Sequence, residues 1–142
     1  MYAFLVSLAR DPTEAEDLVQ DTFVRATRAM GGYRGGSPRA WLLAIARTAF
    51  LDAHRRRSPI PVEDPPDIGT HDPDVAEVHT VRAALGRLPE SQRAALVLRD
   101  QLDLPYAEVA EALGKSLGAT KVLIHRARAE FRTTYEREGG HA

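Results

Sequence analysis

The sequence predicts an all-α protein of two small helical modules, and three observations carry that prediction. Apolar residues recur at helical spacing in each long segment, and no stretch alternates with the period of two that a half-buried strand needs. Cap residues and Pro/Gly breakers bracket those segments. A Pro-rich acidic stretch then divides the chain, which at 142 residues is long enough for one ordinary domain or two small ones.

Tyr2 to Ala9 is apolar and reads as the end of a first helix. Asp11-Pro12-Thr13-Glu14 starts the second: Asp11 can accept from free backbone N–H groups, Pro12 suits the first helical position, and Glu14 sits where a capping box places it. Ala15, Leu18, Val19, Thr22, Phe23, Ala26 and Met30 form its apolar face, Asp17, Gln20, Asp21, Arg25 and Arg28 its polar one, and Gly31-Gly32 ends it. After a loop from Tyr33 to Gly36, Ser37-Pro38 starts a third helix. One stripe of it is Leu42, Ile45, Ala46, Ala49 and Ala53; Leu43 and Phe50 add a second, so packing on more than one side is expected. It ends in Arg55-Arg56-Arg57.

Residues 58–74 read as a flexible acidic linker. Five of the nine prolines lie between Pro59 and Pro73, and residues 58–78 hold six acids and no Lys or Arg. Asp72, Asp74, Glu77 and His79 are better read as part of that acidic stretch than as metal ligands, and no metal or cofactor is expected. Beyond it, 75–87, 90–102, 105–113 and 117–135 read as helices, with breaks at Leu88-Pro89 and Gly114.

Charge must be taken by segment. The chain sums to −1, which seems to argue against nucleic acid, but residues 1–57 carry +3, 58–78 carry −6 and 79–142 carry +2. There is no Cys, so disulfides, thiolate nucleophiles and Cys-based zinc sites are excluded. No Gly-rich phosphate loop with Lys, Gly-x-Ser-x-Gly or His-Glu-x-x-His is present, so no enzyme is expected. No apolar run approaches the roughly 18 residues of a membrane span, and the first residues lack a signal-peptide pattern. The expectation is a cytoplasmic protein without membrane insertion.

The last two helices fit a helix-turn-helix. Gly114 is the turn glycine, Ala110 is small where the helices approach, and Val109 and Leu113 fill apolar positions of the first helix. Leu117, Ile124, Ala127 and Phe131 fall on the inner face of the second. Its outer face presents Ala119, Val122, His125 and Arg126, flanked by Lys121 and Arg128, and the helix start near Ser116 suits a phosphate. An ordinary helical hairpin would show the same pattern.

The whole chain nevertheless resembles one family. Leu88-Pro89-Glu90, Tyr106-Ala107-Glu108-Val109-Ala110, and Gly114 through Arg126-Ala127-Arg128 resemble region 4 of an extracytoplasmic-function (ECF) bacterial sigma factor. Glu14-Ala15-Glu16-Asp17-Leu18-Val19-Gln20-Asp21-Thr22-Phe23, Ala40-Trp41-Leu42-Leu43-Ala44-Ile45-Ala46-Arg47, Asp52 and Arg55 to Arg57 resemble its region 2. The resemblance implies residues 1–57 as a region 2 bundle that binds core polymerase and the promoter −10 element, and 75–142 as a region 4 helix-turn-helix that binds the −35 element. The chain starts inside what the resemblance implies as the first region 2 helix, and the expectation is either a misassigned start or an N-terminally shortened region 2.

In that family region 2 binds the β′ clamp of RNA polymerase and opens the −10 element, while region 4 binds −35 duplex and touches the β flap. Carried over, Asp17, Gln20, Asp21 and Arg25 would dock on polymerase; a solvated face with an Asp21–Arg25 pair is the plain alternative. Tyr33, Arg34, Ser37 and Arg39 would line a loop for an unstacked −10 base. Trp41 would stack at the melting point or serve the core, and Arg47, Arg55, Arg56 and Arg57 would meet phosphates or simply be solvated. Ser116, Ala119, Lys121, Val122, His125, Arg126 and Arg128 would read or hold −35 duplex. The linker is either a tether or, as the resemblance suggests, a segment threaded along the RNA exit path. Core RNA polymerase, promoter DNA and an anti-sigma factor are the implied partners. A helix-turn-helix regulator acting without polymerase and a sigma-like protein-binding module are the alternative readings.

Three positions depart from the family pattern. Thr120 stands where a packed apolar residue is usual, Leu123 where an arginine would face DNA, and Thr48 where Asn often follows Ile-Ala-Arg. Val122 on the outer face suits a thymine methyl or a protein surface.

Overall fold

The computed structural model describes residues 1–57 and 73–139, with side chains described through 56 and from 80. All regular structure among the described residues is helical. The N-terminal half holds α1 (Tyr2–Ala9), α2 (Pro12–Ala29) and α3 (Pro38–Arg57), and the C-terminal half α4 (Pro73–Arg87), α5 (Glu90–Leu96), α6 (Tyr106–Leu113) and α7 (Leu117–Arg137). Most of the acidic linker, 58–72, lies outside the described residues. Pro73 and Asp74, expected within it, open α4.

The start signals act as their chemistry requires. An Asp11 carboxylate oxygen accepts from the Thr13 N–H at 3.0 Å, with Pro12 as the first helical residue. Ser37 Oγ accepts from the Ala40 N–H at 3.1 Å and starts α3 in the same way. Gly114 has φ 65°, in the left-handed region that glycine enters without steric cost. That turn lets the Lys115 N–H reach the Ala110 carbonyl at 3.0 Å and closes α6. α5 continues into a π-helical turn, Val97–Gln101, in which the Leu102 N–H donates to the Val97 carbonyl at 2.9 Å.

Periodicity located the helices better than it ranked their faces. On α2, Ala15, Leu18, Thr22 and Ala26 are buried, but Phe23 and Met30 are 54% and 66% exposed. On α3 the two stripes share the burial: Leu43 and Phe50 of the second are buried with Ala40 and with Ala46, Ala49 and Ala53 of the first, whereas Leu42 and Ile45 are only half-buried. Leu117, expected inside α7, is exposed. α2 and α7 each carry more apolar residues than one contact face can hold.

The two halves share one core. Phe4, Leu5, Leu8, Leu43 and Phe50 from the first cluster with Leu98, Leu104, Val109, Leu113 and Ile124 from the second, among alanines of both. A smaller cluster of Leu85, Leu88, Leu96 and Ala127, with Phe131 against it, belongs to the C-terminal half alone. Arg93 ties the halves by donating to the Leu8 carbonyl at 2.7 Å and to the Leu88 carbonyl at 3.3 Å. Burial, first, and the charge of Arg10, second, lower its pKa, against the raising effect of Glu90.

Candidate nucleic-acid interface

α6 and α7 form the helix-turn-helix. Val109, Ala110 and Leu113 of α6 are buried, as are Thr120, Ile124 and Ala127 of α7, so the pair is fixed along one side. Ser116 Oγ accepts from the Ala119 N–H at 3.1 Å and caps α7. Ala119, Lys121, Val122, His125 and Arg126 are all exposed, as a groove-reading face requires.

The departures at Thr120 and Leu123 now have physical accounts. Thr120 is fully buried, and its hydroxyl donates to the Ser116 carbonyl at 2.8 Å, so the polar atom is satisfied within its own helix. Leu123 is half-buried against the shared core. An arginine's position toward DNA has become a packing position.

Arg128 stands apart from the other residues of that face. It holds Asp100 through two hydrogen bonds of 2.6 and 3.0 Å. Asp100 first, then Tyr106, raise its pKa further above the ordinary guanidinium value. Arg128 and Arg99 in turn hold the Tyr106 phenol below its usual value, and the Arg99 guanidinium lies 4.7 Å from the centre of the Tyr106 ring. Alongside, Val81, Leu85, Leu96, Val97 and Phe131 line an open apolar groove of about 420 Å³ between α4, α5 and α7.

In the N-terminal half, the loop after α2 is stiffer than its glycines suggest. The Tyr33 hydroxyl donates to the Gly36 carbonyl at 2.8 Å, and the Tyr33 ring meets Trp41 edge-on at 5.3 Å. Gly36 has φ 84°, and a Cβ there would sit 2.6 Å from a carboxylate oxygen of Glu111. The loop thus lies directly against α6. Trp41 is half-buried on its tyrosine, Arg34 is exposed, and Ser37 is occupied as a cap.

The arginines divide into two groups. Arg55 and Arg56 are exposed at the end of α3, while the side chain of Arg57 lies outside the described residues. Arg39 and Arg47 instead reach across to the C-terminal half. Arg39 holds Glu108 with bonds of 2.5 and 3.1 Å, and Arg47 grips both carboxylate oxygens of Glu90 at 2.8 and 2.9 Å.

On the expected docking face, Asp17 and Gln20 are exposed, whereas Asp21 and Arg25 are half-buried. Arg25 bonds Asp21 at 3.2 Å and reaches α3 to hold Asp52 at 2.8 Å. The Arg25 hydrogen bond, chiefly, holds Asp52 below its ordinary carboxylate value, with Arg55 and Arg56 assisting and burial opposing. The carboxylates of Asp52, Glu90, Asp100 and Glu108 were not anticipated as partners. Each lies 27 to 69 residues from its arginine, and no local pattern reports such a pairing.

A capped helix-turn-helix thus shares a core with a second helical unit that carries arginines and a Tyr–Trp loop. The Sigma-70 region 2 family matches residues 1–60, and the Sigma-70, region 4 family matches residues 79–131. Among curated relatives, the ECF RNA polymerase sigma factor SigE of Mycolicibacterium smegmatis is 35% identical over 93% of this chain. The chain spans 56% of that relative's length, roughly half. The ECF RNA polymerase sigma factor SigM of Bacillus subtilis is 31% identical over 96% of this chain and 89% of its own. Among solved structures, the sigma factor RpoE of Bartonella quintana, in complex with the anti-sigma factor NepR, superimposes with a TM-score of 0.76 at 28% identity, covering 95% of this chain and 89% of that one. The chain belongs to the ECF RNA polymerase sigma factor family.

Proposed function

We propose that this chain binds core RNA polymerase and directs promoter-specific initiation, itself performing no catalysis. One observation carries the reading: both sigma regions occur in one chain in the family's order, and the capped helix α7 turns Ala119, Lys121, Val122, His125 and Arg126 to solvent. Residues 1–57 form the polymerase and −10 unit, 75–142 the −35 unit, and 58–74, whose last two residues open α4, the connector. Lys121, Arg126 and the α7 N-terminus engage −35 phosphates, and Ala119, Val122 and His125 meet base edges. Arg128, paired with Asp100, positions α7 more than it offers free charge.

Asp17, Gln20, Asp21 and Arg25 form the polymerase face, with Arg25 orienting Asp21 from its second bond to Asp52. Tyr33, Arg34 and Trp41 serve the unstacked −10 strand, Ser37 positions their loop, and Arg39, Arg47, Arg55, Arg56 and Arg57 hold its phosphates. The apolar groove beside Phe131 is the surface proposed for the β flap. An anti-sigma partner is proposed on the precedent of the Bartonella complex, and the cytoplasm is the proposed location. Among the described residues no helix is long and apolar enough to cross a membrane.

Reconstitution with core polymerase and run-off transcription tests the proposal. Promoter-dependent transcripts are expected, and absence of core binding would refute it. Equal promoter binding with and without polymerase would favour an operator-binding regulator. Asp17→Lys with Asp21→Lys should abolish core association, and undiminished association would remove that face from the proposal.

A further inference from the structure

Two of the described glycines lie inside α-helices, Gly86 and Gly118. Gly86 has an internal reason: the Arg10 guanidinium lies against it, where a Cβ would stand. Gly118 has no such neighbour. Its φ is not positive, and a Cβ there would meet nothing within 4 Å. A glycine in a helix loses more conformational freedom on folding than an alanine, so the fold bears a cost at Gly118 that no contact within the chain requires. Close approach by another molecule is what the missing side chain permits.

Gly118, Val122 and His125 follow one another at i, i+4 and i+7 and form the row of α7 opposite the buried Thr120, Ile124 and Ala127. A helical side chain leans toward the N-terminus, so the Val122 methyls lie over the bare turn at Gly118. Val122 is 49% exposed, and Ala119 is exposed beside it. The result is a shallow apolar notch with no side-chain hydrogen-bonding group of its own. Lys121 lies on one flank of the row and Arg126 on the other, and no Asp or Glu occurs from Leu117 through Ala129. Cations along both edges of an apolar strip suit a groove between two phosphate backbones better than a protein surface.

In the major groove thymine is the base that presents an apolar group, its C5 methyl. Resting on the −35 reading proposed above, we infer that Val122 and Gly118 determine specificity there: Val122 takes a thymine methyl, and Gly118 lets the duplex come near enough for so short a side chain to reach it. Leu123, packed against the core, supplies no longer arm at this point of the helix. Selection here therefore turns on a methyl group and not on a forked hydrogen bond.

The holoenzyme first selects duplexes from a random-sequence pool, and each thymine of the upstream element is then replaced singly by uracil, which lacks only the methyl. One replacement should weaken binding about fourfold, the worth of one buried carbon. In Val122→Ala the same replacement should no longer matter. Gly118→Ala should also abolish the discrimination, while the melting midpoint of the free chain stays level or rises by about 1–3 °C, alanine being the better helix former. A selected upstream element without thymine, no uracil effect at any position, or an effect that survives Val122→Ala would overturn the notch. So would a Gly118→Ala variant that still discriminates, or one that melts lower than wild type, as an internal packing role requires. Weaker core association of Val122→Ala with duplex discrimination intact would assign Val122 to a protein surface and overturn it equally. Lys121→Ala with Arg126→Ala tests the underlying reading. Undiminished duplex binding by that variant would show that α7 does not face the −35 element, whereas weakened binding without any uracil effect would keep that reading and remove only the notch.

Discussion

Leu5→Ala tests whether the two halves share a core in solution. Leu5 is fully buried in α1, in a cluster that includes residues of both halves. Leucine-to-alanine changes in cores cost about 2–5 kcal/mol, the upper part of that range applying where neighbours cannot move into the space. Ala15, Ala46, Ala94 and Ala95 of the same cluster have no rotamer with which to fill a hole, which limits how far the core can close it. A cost of about 3 kcal/mol follows. At about 2.1 cal/mol/K per residue the unfolding entropy of the chain is about 0.3 kcal/mol/K, so the midpoint should fall by about 10 °C. Circular dichroism melting gives the shift, and amide hydrogen exchange gives its distribution. Because the core is common, exchange should quicken in α5 and α6 as well as in α1–α3, with one melting transition. Two transitions, the C-terminal one at its wild-type midpoint, would refute a shared core. Val24→Ala, at an exposed position of α2, should stay within about 0.5 kcal/mol.

Three further outcomes are expected. Asp52 is held below its ordinary value, so its stabilising contribution is complete above about pH 3.9 and is lost as pH falls through the depressed value. Asp52→Asn should therefore flatten the acid limb of stability below about pH 4 in urea melts, and an unaltered limb would contradict the Arg25–Asp52 bond. Thr120→Val should change stability by less than about 1 kcal/mol, because the Ser116 carbonyl keeps the Thr120 N–H at 3.0 Å after the hydroxyl is gone. A loss above about 2 kcal/mol by chemical denaturation would mean that the carbonyl needs the hydroxyl. Lys121→Ala and Arg126→Ala, assayed by −35 duplex titration in the holoenzyme, should each lower the slope of log affinity against log salt by about 0.9 if each meets one phosphate. An unchanged slope would place that residue off the backbone.

Local chemistry was legible in the sequence because its causes are local. Asp11 and Ser37 cap as their neighbours Pro12 and Pro38 suggest, and Gly114 takes the left-handed turn that only its missing Cβ makes easy. Burial is a property of what packs opposite, so a helical wheel could not rank Leu43 above Leu42 or foresee Phe23 and Met30 at the surface. The site was legible as a set of residue types and not as a set of partners. Arg39, Arg47 and Arg128 read in the sequence as contacts to DNA, whereas the carboxylates that hold them come from α6, α5 and the π-helical turn, and only the fold brings these within bonding distance. Thr120 looked like a defect in the recognition helix until its hydroxyl was seen to close on its own previous turn.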